Sequence, residues 1–102
     1  MKPEILSKTE IEQTLRNHED TLRGYSVKWL GLFGSYVKGA ARDDSDIDLV
    51  VEFEKLSFDN YMGLRIFLED LFDKKIDLVI SNSVKPRLKP RIEKEVEYVA
   101  RL

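Results

Sequence analysis

Ile11, Leu15, His18 and Leu22 recur at helical spacing, with Lys8, Glu12, Arg16 and Glu19 between them on the polar side. Ser7 and Glu10 have the spacing of a capping box, and Leu6 and Ile11 that of a hydrophobic staple, so a helix is predicted over 7–24, ending at Gly24. The run VKWLGLF at 27–33 is short, nearly all apolar and rich in aromatic and branched residues, which predicts a buried central strand that stops at Gly34. After a polar stretch containing Gly39, Arg42, Asp43 and Asp44, the run IDLVVEF predicts a second strand ending near Phe53. Tyr61, Leu64, Leu68, Leu71 and Phe72 then fit a helical stripe, with Ser57 or Asp59 as the cap. KIDLVI is the third strand. Pro86 and Pro90 suit the first turn of a last helix that places Leu88, Ile92, Val96 and Val99 on one face.

The pattern reads α-β-β-α-β-α. It predicts an α/β (α+β) fold with a small mixed sheet of about three strands flanked by helices. A helix joins the second and third strands, so they are expected parallel and adjacent through a right-handed crossover. Only about a dozen residues separate the first two strands, which favours an antiparallel pair. Under that topology three points of the chain meet at one sheet edge: Gly34 with Ser35, Asp46 to Asp48, and Asp77.

Length and composition narrow the chemistry. At 102 residues the chain is expected to form a single domain, 1–102. With 42% hydrophobic and 35% charged residues and a mean hydropathy of -0.36, a soluble globular protein is expected. No apolar run approaches a membrane span, and the opening MKPEILSKTE lacks the apolar stretch of a signal peptide, so a cytoplasmic location without membrane contact is expected. The absence of cysteine excludes disulfides, thiol catalysis and zinc fingers, and the one histidine, His18, reads as a packed or hydrogen-bonded side chain. Seventeen basic against nineteen acidic residues give a net charge of -2, so direct nucleic-acid binding is not expected. The basic segment Lys85, Arg87, Lys89, Arg91 reads as a solvated helix face.

Any metal must therefore bind through oxygen. Asp46 and Asp48 are two apart at the start of a strand and leave the same face. Asp77 interrupts an apolar hexamer, and its parity partner Val79 suggests a covered face. Three convergent carboxylates repel one another, and a divalent cation resolves the conflict. Oxygen ligands alone suit Mg²⁺ or Mn²⁺, which complete their shells with water and substrate phosphate. Gly34 allows the backbone to approach a ligand closely, and Ser35 starts a short helical turn with available N–H groups. Lys38 and Arg42 follow within reach of a triphosphate tail, and Ser45 is placed to orient the acidic pair. A P-loop is excluded because Lys38-Gly39-Ala40 has the wrong order, and a dinucleotide-binding unit because the interval from Gly34 to Asp48 cannot hold a crossover helix.

Gly34-Ser35, ten residues, then Asp46-Ile47-Asp48 resembles the G-S-x(10)-D-x-D signature of the polymerase-beta-like nucleotidyltransferases. The segments LFGSYVKGAARDDSDIDLVVEF, KIDLVI and SVKPRLKPRI are similar to the minimal nucleotidyltransferases of prokaryotes over nearly the whole chain. The resemblance implies that Gly34 and Ser35 hold the nucleoside triphosphate, that Asp46 and Asp48 hold two Mg²⁺ ions, and that Asp77 is the third carboxylate. Lys38 departs from the Arg usual there and offers a point charge in place of a two-pronged fork. The resemblance further implies transfer of AMP from ATP to a tyrosine of a HEPN-type toxin, with the chain as antitoxin. Two alternatives stand beside it: a non-enzymatic antitoxin or nucleotide-binding subunit acting by contact, and a small-molecule nucleotidyltransferase, weakened because the catalytic core uses up the 102 residues. The sequence is neutral on a homo-oligomer.

Overall fold

The computed structural model describes residues 7–39, 41, 45–81 and 96–102. Helix α1 (Lys8–Arg16) begins at the expected capping box. The Ser7 hydroxyl accepts the Glu10 N–H at 3.0 Å and the Glu10 carboxylate accepts the Ser7 N–H at 2.9 Å. Leu6, the outer half of the staple, lies outside the described residues.

The predicted single helix to Gly24 is instead two, because the chain breaks at Asn17 and His18 before α2 (Glu19–Gly24). Protonated Nδ1 of His18 donates to the Thr14 carbonyl at 2.8 Å, taking the acceptor that the next helical N–H would use, while the His18 N–H turns to Leu15. His18 packs its ring edge-on to Phe67, 5.7 Å between centroids, so the packed and hydrogen-bonded reading holds. The break still leaves Ile11, Leu15 and Leu22 fully buried.

Strands β1 (Val27–Phe33) and β2 (Ile47–Phe53) pair antiparallel, and β2 pairs parallel with β3 (Ile76–Ile80), both as expected. The crossover is α4 (Phe58–Phe72), capped by Ser57, whose hydroxyl accepts the Asn60 N–H at 3.0 Å. Val96 and Val99 do not lie on a helix. Residues 97–101 form β4 (Glu97–Arg101), antiparallel to β1, and the sheet has four strands in the order β3-β2-β1-β4. The i, i+3 spacing of Val96 and Val99 mimics a helix, but pairing with the open side of β1 decides the outcome. Gly31 makes room for it, since a Cβ there would stand 2.5 Å from Val96 Cγ2. The start of that predicted helix and the basic segment 85–91 lie outside the described residues.

Alternation along β2 separates two faces. Ile47, Leu49, Val51 and Phe53 join Leu30 and Leu32 of β1 and the buried leucines of α1, α2 and α4 in one core. Asp48, Val50 and Glu52 leave the opposite face, and Val50 is buried there without belonging to that core. The helices thus fasten one face of the sheet and leave the chemistry to the other.

Candidate active site

The register brings the expected residues together. Phe33 at the end of β1 faces Asp48 near the start of β2, and Asp48 faces Asp77 of β3. Adjacent strands lie ~4.8 Å apart, so the turn after β1 and the two carboxylates form a row across the sheet.

Gly34 adopts φ 79° and ψ -148°, a conformation that side chains rarely permit. A Cβ at Gly34 would also run into the carboxylate of Asp48. Glycine therefore lets the turn close directly onto the acid. Ser35 opens α3 (Ser35–Lys38), a single turn closed by the left-handed Gly39, and its backbone N–H donates to the Asp48 carboxylate. The Val37 and Lys38 N–H groups both donate to the Gly34 carbonyl at 3.1 Å, so a phosphate at this turn would compete with that carbonyl and with Asp48 for main-chain donors.

Asp48 is half-buried, and its carboxyl is pushed up from the ordinary 3.8 to about 6. Burial is the largest cause, followed by the charge of Asp77, a hydrogen bond with Asp77 and the charge of Asp46, while the Ser35 N–H works in the opposite direction. Asp77 is exposed, contrary to the covered position expected of it. β3 is an edge strand, and Asp77 leaves the face opposite the helix-covered core that Ile76 and Leu78 join. The acid burdened by burial is Asp48.

The donor set suits a hard divalent cation. Three oxygen donors from Asp46, Asp48 and Asp77 bear on one another, and Asp48 holds a proton more firmly than an ordinary carboxylate. Among the described residues no three acidic, His or Cys side chains are gathered closely enough to hold a metal as they stand. Asp48 and Asp77 are nonetheless in hydrogen-bond contact, and the charge of the exposed Asp46 also acts on Asp48. Asp48, held by Ser35, is the fixed member.

Lys38 is exposed at the far end of α3, and Ser45 is half-buried just ahead of Asp46. Arg42 lies outside the described residues. The structure adds residues that the sequence reading missed. A cleft of about 330 Å³ joins Asp46 and Asp77 to Tyr61 and Arg65 of α4 and to Lys75. The Tyr61 hydroxyl donates to the Leu78 carbonyl at 2.8 Å, anchoring α4 to β3. The available signals were the i, i+4 spacing of Tyr61 and Arg65 and the lysine two residues before Asp77.

Residues 9–101 match the family model described as polymerase beta, nucleotidyltransferase. The chain is 39% identical over 97 residues to the protein adenylyltransferase MntA of Thermococcus cleftensis, covering 93% of this chain and 98% of that protein. Its fold is similar to a toxin-antitoxin crystal structure with AMP-PNP (TM-score 0.72, 24% identity, 89% of this chain and 73% of that one). It is also similar to a complex of a tri-AMPylated HEPN toxin of Shewanella oneidensis with its MNT antitoxin (TM-score 0.63, 23% identity, 89% and 73%). With the match running almost end to end, and the glycine turn and acids of the signature gathered in space, the chain belongs to the polymerase beta nucleotidyltransferase family, among its MntA-like minimal members, and is a nucleotidyltransferase.

Proposed function

We propose that this chain transfers AMP from ATP to a hydroxyl of a partner protein, a tyrosine of a HEPN-type toxin, and thereby acts as an antitoxin in the cytoplasm. The observation that carries the reading is the row formed by the Gly34-Ser35 turn, Asp48 and Asp77. The chemistry and partner class follow a relative named a protein adenylyltransferase and a structural neighbour described as a tri-AMPylated HEPN toxin with its MNT antitoxin, and the tyrosine rests on the family resemblance.

Gly34 and the N–H groups of the α3 turn receive the triphosphate, with Lys38 and Arg42 as counter-charges to its tail. Asp46 and Asp48 would hold two divalent cations, Mg²⁺ or Mn²⁺, one of them shared with Asp77, which when bound neutralise phosphate charge and acidify the acceptor hydroxyl. Ser45 orients the acidic pair. Asp77, exposed at the edge, is open to an incoming hydroxyl and is the group that takes its proton. The hydroxyl oxygen bonds to the α-phosphorus, the bond to the β-phosphate oxygen breaks, and pyrophosphate leaves.

The test is an intact-mass measurement on the co-expressed partner with ATP and Mg²⁺. Added AMP units are expected, and they should vanish with Asp46→Asn and Asp48→Asn together, restoring partner toxicity. If that double variant still neutralised the partner and no nucleotide was ever transferred, the contact-only antitoxin would replace this reading.

A further inference from the structure

The row across the sheet has a direction. The phosphate turn follows β1, Asp48 stands on β2, Asp77 on β3, and the cleft with Arg65 and Lys75 lies at the free edge beyond. An in-line displacement at phosphorus brings the attacking oxygen from the side opposite the leaving group. With the triphosphate held on the β1 side, the acceptor arrives over the β3 edge and passes Arg65 and Lys75.

Two cations share that wall with Asp46 and Asp77, and a neutral tyrosine side chain would bring them no charge. They do suit an acceptor that already carries a phosphodiester. Arg65 is engaged by Glu69 at 3.4 Å, with both side chains about one-third exposed, a surface pair weak enough to yield to phosphate. A guanidinium also meets a phosphate with two parallel hydrogen bonds. Tyr61, tied to the Leu78 carbonyl, fixes the wall from which Arg65 reaches, one helical turn away.

We propose that Arg65 and Lys75 form an acceptor-phosphate subsite: they bind the phosphodiester of a nucleotide already joined to the acceptor and so position its ribose hydroxyl for the next addition. This rests on the nucleotidyl-transfer reading above. In that step the ribose oxygen bonds to the α-phosphorus of the incoming triphosphate, the bond to pyrophosphate breaks, and the hydroxyl proton passes to Asp77. Arg65 and Lys75 act as specificity residues for the acceptor and do not touch the reacting atoms.

Two probes test the subsite: a short tyrosine peptide and the same peptide carrying AMP on the tyrosine oxygen. The wild-type chain is expected to bind the AMP-bearing peptide at least ~10-fold more tightly, the scale of one charge-assisted contact, and Arg65→Gln with Lys75→Gln should erase that preference without lowering the melting temperature. On the co-expressed partner, the same double variant should retain the first addition and lose later ones. Equal affinity of the wild type for both peptides, a preference that survives the double variant, or first and later additions falling together would each overturn the subsite. Transfer of a single unit with no peptide preference would sink it while leaving the transfer reading intact, whereas the expected preference with no transfer to any partner would do the reverse.

Discussion

Asp48 and Glu52 are carboxylates four residues apart on the same face of β2, in opposite surroundings. Glu52 accepts the Trp29 indole N–H at 3.0 Å and pairs with Lys28 at 3.3 Å, while Trp29 packs edge-to-face on Tyr98 at 5.0 Å. Among the described residues, Asp48 has the Ser35 backbone donor and the carboxylates of Asp77 and Asp46 for neighbours. A negative charge given a cation and a donor is architecture. One left among its own kind is an electrostatic cost retained by the fold, and such costs collect where a ligand will relieve them.

The sharpest test of the contrast exchanges each acid for its amide. Asp48→Asn is expected to lower transfer by ~10³-fold or more, since bound cations supply several kcal/mol of transition-state stabilisation. The metal-free melting temperature should hold or rise, because a repulsion is removed. Glu52→Gln should do the opposite on a small scale, keeping activity and losing up to ~1 kcal/mol of stability with its partly exposed ion pair. Turnover and thermal melts on both variants decide it. If Glu52→Gln were inactive, the two ends of the strand would not divide as argued.

The turn offers a second comparison. Gly34 and Gly39 both have positive φ, 79° and 74°, but a Cβ at Gly34 meets Asp48 whereas one at Gly39 meets nothing among the described residues. Gly34→Ala should cost about 1 to 3 kcal/mol and also displace the Asp48 carboxylate, reducing activity with stability. Gly39→Ala should cost ~1 kcal/mol of backbone strain and leave activity per folded molecule unchanged. Equal activity losses in the two would show that the close approach of Gly34 to Asp48 is incidental.

Much of this arrangement was legible in the chain. Strong apolar runs marked the three strands of the site, the capping box marked α1, and the short β1–β2 interval with the helical β2–β3 interval set the pairing that gathers Gly34, Asp48 and Asp77. What escaped depends on contacts between distant segments. The helix break at His18 turns on one side-chain hydrogen bond to Thr14. The pattern at Val96 and Val99 is compatible with helix and strand alike, and only the open edge of β1 selects the strand. That choice makes β4 the edge beyond β1, whereas β3, with Asp77 and the cleft of Arg65 and Lys75, is an edge with or without it.

A smaller effect follows from protonation. The folded value of Asp48, about 6, lies above its unfolded 3.8, so between those pH values the native state holds a proton that the unfolded chain has released. The contribution is fully present below about 4 and is lost as pH rises through 6. Metal-free protein should therefore lose stability across that window, by ~1 kcal/mol after allowing for solvent screening of a half-buried group. Denaturant melts at pH 4 and 7 measure it. Asp48→Asn should flatten that part of the pH profile, and an unchanged profile would remove Asp48 as its source.

The smallest expected effect separates the side chain of Ser35 from its backbone. The donor to Asp48 is the main-chain N–H, which Ser35→Ala keeps. That variant loses only a hydroxyl contact to phosphate, worth ~1 kcal/mol, and should fall by less than about tenfold in kcat/KM for ATP. Ser35→Pro makes the complementary change. Ser35 is the first residue of α3, where proline's fixed φ is compatible with a helix, so the substitution deletes the N–H while its Cδ pushes on the Asp48 carboxylate that the N–H held. Asp48 then loses the donor that opposes its neighbours, and its carboxyl should titrate higher still, weakening metal binding near neutral pH. If the turn acts through its backbone, proline must be far more damaging than alanine, with circular dichroism showing both folded. The reverse order would assign phosphate binding to the hydroxyl and leave Gly34 as a device for closing onto Asp48 alone.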